Sequence, residues 1–150
     1  MDTRDRNFSD FNKEILYGEA GAILGAGIVS LIASHFSSSR VVIAQFAVIG
    51  SATGASILFL LKKIRNKIRR GDPILRSIIN DLKYFTPAAA VIGFGIGYPL
   101  LYYLTKYLVK AGWETFAAGA VSEMAAFSIF ICLINIYRFG LIKFFRKNIA

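Results

Sequence analysis

Four apolar stretches, Ile15 to Phe36, Val41 to Leu61, Pro87 to Tyr107 and Thr115 to Tyr137, are separated by short segments that hold nearly all of the charge. Each has 21 to 23 residues, enough at a rise of about 1.5 Å to cross a hydrocarbon core of roughly 30 Å with some tilt. In lipid every backbone amide must be paired inside the chain, which leaves helices or a closed barrel. The alternation of barrel strands, about ten residues long, is absent. The expected fold is an all-α integral membrane protein, a single membrane domain over residues 1–150 with four transmembrane helices in two hairpins. Composition agrees: 55% of the 150 residues are hydrophobic and 18% charged, and the mean hydropathy is +0.54, more apolar surface than one small soluble core can hide.

The distribution of Lys and Arg predicts orientation. The amino-terminal segment, the connection between spans two and three and the carboxyl-terminal segment hold 15 of them, and the other two connections hold 3. Both termini are therefore expected in the cytoplasm of a cell-membrane protein. Tyr102, Tyr103, Tyr107 and Trp113 mark the opposite interface, with Tyr17, Tyr84, Phe85 and Tyr137 at the inner one. The net charge of +9 does not point to nucleic acid, because the bases flank apolar spans and the aromatics among them fit a membrane interface. The first 14 residues hold four acids against three bases, and the apolar run behind them exceeds a signal h-region, so an uncleaved first span is expected.

The middle connection carries the inner-leaflet bases Lys62, Lys63, Arg65, Lys67, Arg69 and Arg70, suited to anionic lipid. Asp72 and Pro73 provide a helix start. Ile74, Leu75, Ile78, Ile79 and Leu82 then share one face, which predicts a short amphipathic helix over 73–83 on the inner leaflet. A solvated linker is the alternative.

Residues 20 to 28, AGAILGAGI, match 88 to 96, AAAVIGFGI, at five of nine positions. Both segments run outward, so a duplication would be a parallel repeat of hairpins; chance similarity of small-residue helices is the other reading. Small residues recur four apart in every span: Gly21 and Gly25, Gly50 and Gly54, Gly93 and Gly97, and Ala118, Ser122 and Ala126. In a bilayer such residues let helix backbones approach closely, and dispersion contacts then hold them. Gly93 and Gly97 are expected to form a flat contact stripe of this kind, and Pro99 to kink the third span by removing the bond to the Gly95 carbonyl.

Glu123 lies about 12 Å below the outer end of span four by helical rise, where an ionised carboxylate costs several kcal/mol, so it is expected to be protonated or paired. Its candidate partners are the Gly95 carbonyl, Tyr98 and Tyr102. A packing hydrogen bond, a proton or substrate relay and a contact with another subunit are the three readings of this residue. Glu19, only about one turn into span one, is expected near the inner headgroups. His35 reads as an interfacial histidine, and Asn135 as a helix bridge.

One His and one Cys, Cys132, cannot build a multi-ligand metal site within one chain. No nucleophile elbow or phosphate loop is present, and no paired intramembrane carboxylates with a nearby base are evident. No catalysis by the isolated chain and no cofactor are expected. The preferred reading is a non-catalytic accessory subunit of a larger integral-membrane complex, such as a membrane oxidase, monooxygenase or energy-converting complex, with other membrane subunits as partners. The alternative is a small homo-oligomeric transporter or flippase with a midplane site around Glu123 and the Pro99 kink.

Overall fold

The computed structural model describes residues 3–70, 79, 83 and 85–145. The elements are α1 (Thr3–Phe36), α2 (Arg40–Arg70), α3 (Thr86–Ile92), a π-helical turn (Gly93–Gly97), α4 (Tyr98–Lys110) and α5 (Thr115–Phe145), with no strand among the described residues. α3, the π turn and α4 run on without a gap as one rod. Four rods result, each long and apolar enough to cross a membrane: Phe11–Phe36, Arg40–Arg69, Thr86–Lys110 and Thr115–Gly140. The helix expected over 73–83 lies outside the described residues, apart from Ile79 and Lys83.

All four rods outrun their apolar segments, the third by the least. α1 starts at Thr3 rather than near Ile15, because residues 3–14 contain no Gly or Pro to stop a helix. Phe11 and Ile15 are thereby carried into a core cluster with Ile134 of α5, against which Phe59, Phe85, Phe127 and Phe130 pack. The Arg138 guanidinium stacks 4.3 Å from the Phe11 ring centroid at the same end, a cation–π contact that suits a buried arginine. This core lies toward the end of the bundle that holds the termini of α1 and α5.

Short turns make neighbours antiparallel. Three serines, Ser37 to Ser39, join α1 to α2. α4 ends on Gly112, whose φ of 87° only glycine adopts freely. Trp113 N–H then bonds the Leu108 carbonyl and Gly112 N–H the Val109 carbonyl, closing the last turn. Glu114 starts α5 by accepting from the amides of Phe116 and Ala117 at 3.1 and 3.0 Å, with its charge on the positive end of the helix dipole.

Backbone contact is concentrated on α1. A Cβ added at Gly21 or Gly25 would run into the carbonyl of Gly54 or Gly50 on α2, and the same holds in reverse. On the α5 side, a Cβ on Gly119 would stand 2.8 Å from the Ala26 carbonyl oxygen, and one on Gly27 would stand 2.6 Å from the Phe116 ring. The Ser30 hydroxyl lies 3.0 Å from the Thr115 carbonyl across that interface. Ala118, Ser122 and Ala126 are all buried along α5.

The third rod is different. Only 11% of its apolar window is buried, against 39% for the first and fourth. A Cβ on Gly95 would meet nothing within 4 Å, one on Gly97 only its own helix at Ile92, and one on Gly93 only the Tyr98 ring at 3.5 Å. Among the described residues, no other helix comes within 4 Å of a Cβ placed on Gly93, Gly95 or Gly97. The Pro99 bend takes the form of a widened turn: Tyr98 N–H bonds the Gly93 carbonyl, five residues back. The proline ring would collide with the carbonyl four residues earlier, and three glycines without side chains allow the preceding turn to open.

Candidate functional site

α2 packs against α4 but makes no close backbone contact with α3. The two rods therefore diverge toward the termini end, and a cavity of about 550 Å³ fills the space between them. Each wall is a helical stripe at 3- and 4-residue spacing: Ile15, Gly18, Glu19 and Ala22 from α1; Ser51, Ala55, Phe59 and Lys63 from α2; Ala89, Ala90, Gly93 and Gly97 along the third rod; and Glu123, Ala126, Phe127 and Phe130 from α5. Ser56 and Leu60 on one side, and Thr86 and Phe94 on the other, line the cavity and are exposed. They form the lips of a sideways opening. Its floor is aromatic, with Phe59 and Phe85 stacked at 5.6 Å and Phe11 edge-on to Phe85 at 5.2 Å.

The back wall holds two carboxylates. Glu19 and Glu123 are 9% and 8% exposed, and both line the cavity. The α1–α5 register brings them together. Gly119 sits over Ala26 and Ser30 bonds Thr115, so Glu123 comes level with Ala22, about one turn or 4.5 Å along the axis from Glu19. The Ser51 hydroxyl of α2 lies beside Glu123 on the cavity wall. Oε1 of Glu19 and Oε2 of Glu123 are buried without a hydrogen-bond partner among the described residues. No third His, Cys, Asp or Glu joins them to form a metal-ligating group among the described residues.

Lys63, buried at 2% exposure, lines the termini end of the same cavity. It feels the charge of Glu14, whose Oε1 also accepts from the Asn66 side chain at 2.9 Å. Of the other bases in this segment, Arg65 and Arg69 are exposed, and Lys62 caps the Tyr17 ring at 4.2 Å.

Several sequence expectations change in detail. Glu19, about one turn into the first apolar segment by sequence, lies on the cavity wall of a helix that continues back to Thr3. The carboxylates missing as a pair from the linear sequence are brought onto one surface by α1 and α5. Of the partners expected for Glu123, Gly95 does not line the cavity. Tyr98 does line the cavity beside it, whereas Tyr102 packs on Tyr103 at 5.2 Å. Asn135 donates to the Ile131 carbonyl of its own helix, and the Leu31 carbonyl of α1 accepts from His35 Nδ1 at 2.9 Å. Ser51, Gly27 and Gly119 were not distinguishable in the sequence from other small residues of apolar helices; only their opposing partners single them out.

The chain matches no protein-family model, and neither curated proteins nor solved structures show significant similarity to it. The site itself is therefore the basis for any functional reading.

Proposed function

We propose that this chain is an integral protein of the cell membrane, with both termini cytoplasmic, that admits an amphiphilic molecule from the bilayer into the cavity between α2 and α3. It acts as a small transporter or flippase and not as a catalyst. The observation that carries this reading is the sideways-opening cavity with polar groups on its back wall. A ligand that enters through such an opening arrives dissolved in lipid, places its apolar part against Phe59, Phe94, Phe127 and Phe130, and brings its head to the few polar groups within. The charge asymmetry of the connections supports the orientation, and Lys62, Arg65, Lys67 and Arg69 provide a surface for anionic lipid.

Proteoliposomes carrying the purified chain and a panel of fluorescent amphiphiles, zwitterionic and anionic short-chain lipids among them, test the proposal. Translocation above protein-free vesicles, abolished by Ala89→Trp in the cavity wall, is the expected result. Absence of both binding and translocation for every member of the panel overturns it.

A second reading, a non-catalytic subunit of a larger membrane complex, is favoured by the third rod, whose apolar window is 11% buried. Mild-detergent extraction followed by native mass spectrometry separates the two. Stable foreign membrane partners favour the subunit, and the chain alone or with its own copies favours the transporter.

A further inference from the structure

We propose that the ligand of this cavity is a hydrophobic organic cation, held at the back wall between Glu19 of α1 and Glu123 of α5; this rests on the reading of the cavity as a ligand site. The argument begins with charge. Three ionisable side chains other than tyrosine line the cavity among the described residues: Glu19, Lys63 and Glu123. Lys63 sits at the termini end, in the field of Glu14 and Lys67, and the back wall holds the two glutamates with no basic side chain in the lining beside them. α3 and the π turn contribute no ionisable group to the lining, and α4 contributes only Tyr98.

Hydrogen bonding points the same way. Both glutamates are more than nine-tenths buried, yet Oε1 of Glu19 and Oε2 of Glu123 have no donor among the described residues. Buried polar atoms without partners are rare in folded chains, and each calls for something to complete it. Two such acceptors one helical turn apart, facing one space, are complementary to a positive group. The absence of a third ligating side chain and the apolar character of the remaining wall disfavour a bare metal ion, which needs several oxygen or nitrogen ligands.

The surrounding side chains define the rest of the ligand. Phe59, Phe85, Phe94, Tyr98, Phe127 and Phe130 line the cavity. Aromatic faces attract cations most strongly where water is excluded, and their area takes up an apolar body. A delocalised or quaternary cation with aromatic or alkyl substituents satisfies both demands. A free phosphate or an anionic headgroup satisfies neither, because its charge would face two carboxylates.

Two probes of the same shape and opposite charge test the inference without altering the protein. The full chain is reconstituted in lipid nanodiscs, and binding of tetraphenylphosphonium and of tetraphenylborate is measured by equilibrium dialysis against protein-free discs. Saturable binding of the phosphonium, at least about tenfold tighter than that of the borate, is expected. Glu19→Gln and Glu123→Gln should each weaken phosphonium binding by about tenfold or more while leaving the helical circular dichroism unchanged. Equal binding of the two ions, tighter binding of the borate, or unchanged phosphonium affinity in both Gln variants overturns the cation assignment. Any of those results together with loss of binding in Ala89→Trp leaves the cavity reading standing. Absence of saturable binding for either ion overturns the cation assignment alone, since the cavity reading is decided by the lipid panel.

Discussion

Residues 20–28 and 88–96 share five of nine positions, including both glycines that close each segment, yet they do opposite things. The first is an unbroken part of α1 and touches two helices at once: Gly21 and Gly25 meet α2, and Gly27 meets Phe116 of α5. The second opens into a π turn and places no glycine against another helix. The same glycines serve close approach in one segment and backbone freedom in the other. The difference comes from what lies outside the nine residues. α2 carries its own pair, Gly50 and Gly54, at the same spacing and opposite α1, whereas the second segment is followed by Pro99 and borders a cavity.

The comparison can be broken by substitution, and the largest effect is expected at Gly25→Val. The added side chain would meet the Gly50 carbonyl, which belongs to the backbone and cannot turn aside. A loss of about 3 kcal/mol or more is expected, read as a fall in the thermal midpoint in detergent; a midpoint unchanged from the parent would show that the close approach is not what holds α1 to α2. Gly27→Ala should cost less, about 1–2 kcal/mol, because the atom in its way is the far edge of the Phe116 ring, and a ring can tilt.

Substitutions in the second segment should do the reverse. Pro99→Ala restores an amide that can reach the Gly95 carbonyl, and a gain of about 1 kcal/mol is expected as the turn narrows. Slower amide exchange over Gly93–Gly97 is the accompanying sign, and exchange at the parental rate would mean that the glycines alone keep the turn wide. Gly95→Ala, at the position that aligns with Gly27, should be smallest: a gain of about 0.5 kcal/mol from lower backbone entropy in the unfolded chain. A loss instead would reveal a neighbour that the isolated chain does not contain.

Part of the site was legible beforehand. Glu123 stands out in any reading, being a carboxylate deep inside an apolar segment. Pro99 with three glycines ahead of it announces a distorted helix, though not that the distortion is a π turn. Glu19 stands out less, lying near one end of its apolar segment, and nothing close to it in sequence marks it as a cavity residue. Its approach to Glu123 depends on Gly119 settling over Ala26, a contact between residues far apart in the chain. No spacing rule within either segment contains that information.

From the sequence alone came the number of the rods, their helical nature and their antiparallel order, because apolar runs and short connections are local properties that the helix period and backbone hydrogen bonding translate directly. Which small residue meets which, where the third rod leans away, and that two distant glutamates share one cavity were decided by tertiary structure. Those outcomes depend on the rotation and register of whole helices against one another, and such rotation is chosen by the sum of many weak contacts, none of which is written within a single segment.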